Sequence, residues 1–200
     1  MKVAIQGIRG SFHHIVAEQY FGKNIDLVEC LSFSEMPNLL KEEKVEVLIM
    51  AIENTIAGAI LPNYALIDDN DLSICGEHHL PVHHNLISNE KDFSGIKKIY
   101  SHTQSLSQCH QWLLNHTPGI ELQSVSSNAE AVKIASKEKG AAAVASVRAA
   151  ALFNVPLLAE NIEDDPKNST RFLVISNHEV KPSGLDKTSI IVAAKNQPGA

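Results

Sequence analysis

A chain of 200 residues with 44% hydrophobic and 20% charged residues can build a sizeable core as one domain or two small lobes, and it lacks the composition of disorder. A net charge of −6, with no basic run longer than two residues, speaks against nucleic acid as a partner. No apolar stretch approaches the roughly 20 residues of a membrane span, the first residues lack a signal-peptide pattern, and the scattered Cys30, Cys75 and Cys109 suit reduced thiols in a cytoplasm.

Residues 3–5 read as a short strand that breaks at the glycine turn Gly7-Ile8-Arg9-Gly10, after which Ser11 opens a helix to about residue 21. Strand, turn and capped helix start together make a backbone anion site, because the first amides of a helix lack internal partners. GxxGS is neither a dinucleotide fingerprint nor a P-loop, so a carboxylate is the more natural guest, with a plain βα turn as the alternative. Residues 27–28 suggest a second strand, and Ser32 with Glu35 forms a capping box for the next helix. Residues 45–52, VEVLIMAI, predict a buried strand. It ends in Glu53-Asn54-Thr55, polar groups delivered where ligands collect in α/β sheets.

Residues 72–86 carry the pairs His78-His79 and His83-His84 around Pro81, which forbids a helix and implies extended chain. Without a nearby cysteine or carboxylate set these histidines, like His13-His14, read as solvated or structural rather than metal ligands. A new βα series follows. Residues 96–100 predict a strand, and Ser101-His102-Thr103-Gln104 lead into a helix ending near residue 116, with Ser101, Ser105 and Gln108 on one face. Residues 120–125 are a strand, Ser127 and Glu130 cap a helix to about residue 137, residues 141–145 form a small-residue strand, and residues 146–153 a helix. After the polar turn NIEDDPKNST comes the apolar run Phe172-Leu173-Val174-Ile175, a buried strand. Thr170 and Arg171 therefore sit at the mouth of a core element. Arginine is scarce, Arg9, Arg148 and Arg171 being the only three, so candidates for a bidentate carboxylate clamp are few. The chain thus contains two consecutive βαβαβ-like halves, and two lobes with a cleft between their strand ends is the economical architecture.

The motifs QGIRGSFHH, AIENTIAG, YSHTQSLSQC, AAAVAS and NIEDDPKNSTRFLVI, in this order, resemble those of the prephenate dehydratase family over residues 2–175. Ile8, Ala51 and Thr103 stand where the family pattern has proline, which alters loop stiffness more than chemistry. The resemblance implies an α/β fold of two-lobed, periplasmic-binding-protein-like (type II) architecture with the active site in the interlobe cleft. Residues 1–77 plus 163–181 would form the first catalytic lobe and 78–162 the second. KTSIIVAAKNQPGA is similar to the start of the phenylalanine-binding ACT module that follows the catalytic region, so residues 186–200 are expected to be its truncated beginning, with a strand at 188–194.

The implied reaction is loss of water and carbon dioxide from prephenate to give phenylpyruvate, without metal or cofactor, in a cytoplasmic homodimer or homotetramer. Phenylalanine would act as effector only if the ACT module is complete. Thr170 is implied as donor to the leaving hydroxyl. Asn54, Ser101, Gln108 and Glu53 complete the catalytic set, Glu53 being expected to orient Arg171 or a backbone amide. Arg171, beside Thr170, is expected to clamp a carboxylate, that of the pyruvyl end. Phe172, Ser11, Thr55, Gly10, His102 and Gln104 complete the substrate-binding set. Two other readings are an arogenate dehydratase, whose substrate carries an amine in place of the ketone, and a non-catalytic organic-acid-binding module of the periplasmic-receptor type.

Overall fold

The computed structural model describes residues 1–182, 184 and 186–192. The chain opens with β1 (Lys2–Gln6), α1 (Phe12–Phe21), β2 (Asp26–Cys30), α2 (Met36–Lys41), β3 (Val47–Asn54), β4 (Gly58–Ala59), α3 (Leu61–Asp68) and β5 (Ser73–Pro81). It then crosses to β6 (Asn85–Ser88), β7 (Lys98–Ser101), α4 (Thr103–Gln108), α5 (His110–His116), β8 (Glu121–Ser124), α6 (Asn128–Ala135), β9 (Ala141–Ala145), α7 (Val147–Phe153) and β10 (Leu157–Ala159), and returns as β11 (Ser169–Ser176).

Two sheets result, ordered β2-β1-β3-β11-β5 and β8-β7-β9-β6-β10, with β4 hydrogen-bonded to β3 outside the first path. Each follows one rule: second, first, third, crossover strand, fourth. The crossover strands β11 and β6 run antiparallel to both neighbours. This is the two-lobed type II periplasmic-binding-protein-like architecture, with strand ends of both lobes facing one cleft.

β3 is apolar on both faces because both are covered. Leu48, Met50 and Ile52 join Leu173 and Ile175 in one cluster, while Ile49 and Ala51 join Phe172 and Val174 in the other. In the second lobe β9 is all small residues and buried, and Ala129, Val132 and Ala135 of α6 pack in the same cluster as Ala141, Ala143 and Ala145. The three cysteines are free. Among the described residues no helix is long and apolar enough to cross a membrane.

Several expectations shift. β5 continues to Pro81 and pairs with β11 along its length, past the break expected at residue 77. The long helix expected after Ser101 is two helices that meet at Cys109, and Ser101 is the last residue of β7 rather than part of a helical face. The Ser32–Glu35 box closes through side chains (Ser32 Oγ to Glu35 Oε1, 2.9 Å) and opens a 3-10 turn before α2. α3 is a helix that patterning did not predict. Residues 188–192 of the expected terminal strand are exposed and unpaired in any sheet, and 193–194, with the rest of 193–200, lie outside the described residues.

Candidate active site

A β-bulge builds the site. Phe172 pairs with Ala51 and Arg171 with Glu53, so Ile52 is the extra residue on β3. A bulge re-aims the side chains beyond it. Asn54 therefore comes to the same face as Ala51, opposite Thr170, and all of Ala51, Asn54, Thr170 and Phe172 line the cleft. The carbonyls exposed there are taken up by α3 and its approach: Asn63 Nδ2 donates to Ala51 O at 2.7 Å and Ile60 N to Ile52 O at 2.9 Å.

Asn54 is buried and its orientation is forced. Its Oδ1 accepts the backbone N–H groups of Ile56 (3.1 Å) and Ala57 (3.0 Å), so its NH2 must point the other way. That NH2 donates to Thr170 Oγ1 at 2.9 Å and to Asn168 Oδ1 at 2.8 Å. An amide nitrogen cannot accept, so Thr170 Oγ1 is the acceptor and its own hydrogen has no acceptor among the described residues. Thr170 thus holds a donor free for a ligand.

From the other lobe Gln108 reaches the same place, its Oε1 lying 3.1 Å from Asn168 Nδ2 and 2.9 Å from His84 Nε2. Burial lowers the His84 pKa, which favours the neutral ring. Helix starts complete the wall. Ser11, His102 and Ser127 are the N-caps of α1, α4 and α6, each accepting a first-turn amide, and all three line the cleft. Their oriented amides and partial positive charge favour an anion. Gln104 also faces in, and Asn128 holds this corner by accepting His102 N at 3.1 Å and donating to Ser105 Oγ at 2.9 Å. His84 and Asn128 were not expected here; Asn128 adjoins Ser127, and only that box hinted at it.

His13 forms an apolar wall, its ring edge-on to Phe172 with centroids 5.0 Å apart. Burial drives its pKa from 6.5 down to about 3, so the unfolded chain takes up a proton between these values that the native chain refuses. The stability from a neutral His13 is complete above the unfolded value and is lost as pH falls toward 3, at most about 1.4 kcal/mol per pH unit. Urea midpoints should fall steadily from pH about 7 to 5, and His13→Asn should flatten that slope.

Five assigned residues are not brought into the cleft. Arg171 lies between Thr170 and Phe172 on a strand, so it faces the opposite side. There its Nε and Nη2 contact Glu77 Oε2 at 2.9 and 2.8 Å, and Lys187 Nζ joins the same carboxylate. Lys187 first and Arg171 second hold the Glu77 pKa below the usual range. Glu53, expected to orient Arg171 or a backbone amide, is exposed on that far side, and Glu77 holds the guanidinium instead. Thr55 ties the loop to β11, its Oγ1 accepting Ser169 N at 2.9 Å and lying 3.2 Å from Lys167 O. Ser101 is fully buried, 2.6 Å from Val144 O. Gly10 donates its N–H to His14 Nδ1 (2.9 Å), and its carbonyl accepts from Ser146 Oγ (3.0 Å), a bond that joins the lobes rather than meeting a ligand. Arg171→Leu should accordingly leave KM within about twofold while lowering the thermal midpoint, in paired kinetics and melts.

The other two arginines are likewise engaged, Arg9 beside Glu29 and Arg148 at 2.6 Å from Glu18. Among the described residues, no lysine, arginine, aspartate or glutamate lines the cleft, and no cluster of metal-ligating side chains was found. Its volume, about 280 Å³, suits a small organic molecule.

The family model described as prephenate dehydratase matches residues 3–180. A bifunctional chorismate mutase/prephenate dehydratase of Pseudomonas aeruginosa is 41% identical over all of this chain and 55% of its own length. Arogenate dehydratase/prephenate dehydratase 2 of Arabidopsis thaliana is 33% identical over all of this chain and 53% of its own. The chain spans about half the length of the curated relatives it matches. The crystal structure of the prephenate dehydratase of Staphylococcus aureus superposes with a TM-score of 0.78 at 27% identity, over 90% of this chain and 67% of that one. The family match spans nearly the whole chain, and the chain belongs to the prephenate dehydratase family.

Proposed function

We propose that this chain catalyses the decarboxylative dehydration of prephenate to phenylpyruvate, a carbon–oxygen lyase reaction of phenylalanine biosynthesis. Prephenate is a dianion with a ring carboxylate, a pyruvyl carboxylate and a hydroxyl across the ring. The bond from the ring to its carboxylate breaks, the electron pair enters the ring, and the hydroxyl leaves with one proton as water. Dianion plus proton thus becomes carbon dioxide, water and the phenylpyruvate anion. Aromatisation supplies the driving force, so the reading calls for no metal or redox cofactor.

The observation that carries the reading is the free hydrogen of Thr170 beside a forced Asn54 donor. Asn54 holds Oγ1 as acceptor and offsets charge that builds there, which makes the remaining hydrogen a better donor to the departing hydroxyl. Neutral amides, hydroxyls and helix starts bind the two carboxylates without a guanidinium. That restraint serves the chemistry, since a strong cation on the ring carboxylate would stabilise the group whose electrons must leave. Phe172 and His13 supply an apolar wall for the ring.

Relatives named for arogenate make that substrate the second reading. An ammonium would find no carboxylate side chain in the described cleft lining, which favours the ketone. Prephenate should be consumed with a kcat/KM at least about tenfold above that for arogenate. The reverse ranking would transfer the assignment, and binding of both without turnover would favour an organic-acid-binding module. A cytoplasmic location, a homodimer or homotetramer, and phenylalanine as effector where an ACT module is complete all belong to the same reading.

A further inference from the structure

Asn168 is almost wholly buried and sits where the chain returns from the second lobe. Its carbonyl accepts Val82 N at 2.9 Å, from the outgoing crossover, so it fastens both connections together. Its side chain spans the lobes, accepting from Asn54 and donating to Gln108.

Every donor and acceptor in this chain of groups has a determined sense. Two backbone amides fix Asn54 Oδ1 as acceptor. Asn54 Nδ2 then meets Asn168 Oδ1, and Asn168 Nδ2 meets Gln108 Oε1. That oxygen also faces His84 Nε2, so the neutral ring carries its hydrogen on Nε2 and leaves Nδ1 bare. Nδ1 is buried without a partner among the described residues, as this order requires of an atom with no hydrogen to give.

We propose that Asn168 is a positioning residue that carries one hydrogen-bond polarity from the Asn54 turn to Gln108 and His84, so that the lobes' mutual placement and the free hydrogen of Thr170 are set together. The kinetic consequence rests on the activity proposed above; the polarity itself does not. Thr170 is presented as a donor only while Asn54 donates to it, and the same Asn54 amide, fixed by the Ile56 and Ala57 N–H groups, meets the Asn168 carbonyl and so sets the sense of the groups in the second lobe.

The chain of groups makes a long-range forecast. In Asn54→Asp the side chain still accepts from Ile56 and Ala57 but has nothing to donate. Asn168 must turn to offer its NH2, its carbonyl then faces Gln108, and Gln108 turns in response. The Gln108 amide then meets His84 Nε2, which must become an acceptor, so the ring hydrogen moves to Nδ1.

Long-range proton–nitrogen correlation spectra of the ¹⁵N-labelled chain read this directly, with His84 assigned by its loss in His84→Gln. The expected result is Nε2–H in the parent, Nδ1–H in Asn54→Asp, and Nε2–H again in Asn54→Asp combined with Asn168→Ala. If Asn54→Asp does not fold, Asn168→Asp enters one link later and should give the same exchange. Asn168→Ala alone should lower kcat about tenfold with KM little changed, the effect of one positioning hydrogen bond. A His84 that keeps Nε2–H in the folded aspartate variants overturns the proposal. A parent chain inactive on prephenate that shows the exchange removes the activity reading and supports the relay.

Discussion

Thr170→Val should lower kcat by about 10²–10⁴-fold while KM stays within a few-fold, the signature of a donor that matters at the transition state. Valine keeps the branched shape beside Asn54 and removes only the oxygen. The loss has two parts. The departing hydroxyl forfeits its donor, and Asn54 Nδ2 forfeits one of its acceptors while keeping Asn168 Oδ1 at 2.8 Å and Ser169 O at 3.1 Å. Since Asn54 retains those partners, the variant should fold with nearly the parent's thermal midpoint. Thr170→Ser restores the hydroxyl without the methyl and should recover most of kcat. Equal, mild losses in kcat and KM for the valine variant would place the chemistry elsewhere.

Gly10→Val should destabilise the chain by about 2–5 kcal/mol, from about 1–2 for left-handed backbone and about 1–3 for overpacking. Gly10 has φ +92°, and a Cβ built there lies 3.1 Å from Ala149 Cα in the other lobe. The obstacle is backbone, so a rotamer change cannot relieve it. Either the lobes separate and the Gly10 carbonyl loses Ser146 Oγ, or the turn deforms and the Gly10 N–H loses His14 Nδ1 as well. Against a typical total stability of about 5–15 kcal/mol this is a large fraction. Denaturant melts measure the loss, and the surviving folded fraction should show a raised KM because the cleft walls no longer face each other. A variant as stable as the parent would mean that the lobes do not depend on this contact.

Much of the strand pattern was legible because apolar runs bounded by polar turns mark covered strands, as at residues 45–52 and 172–175. α3 was not, since Leu61 is 70% exposed and the segment shows no clear amphipathic stripe. The bulge was illegible for a related reason. It depends on Asn63 and Ile60 capturing carbonyls of β3 from an unforeseen helix. Arg171 faces away from Thr170 because neighbours on a strand point opposite ways, which their adjacency in the chain conceals. The same alternation separates Asn54 from Glu53. The partners of Gly10 and Ser101 come from distant segments, Ser146 at the start of α7 and Val144 on β9, which no local spacing reveals. His84 and Asn168 matter through contacts across the crossovers, and only assembled lobes show those.

A crystal structure of Thr170→Val with unreacted prephenate bound would show where the departing hydroxyl sits. The ring hydroxyl is expected within about 3–3.5 Å of the position the threonine oxygen would occupy, with the ring against Phe172 and both carboxylates on neutral donors of the cleft wall. A hydroxyl turned away from residue 170, or a carboxylate held by Arg171, would contradict this placement.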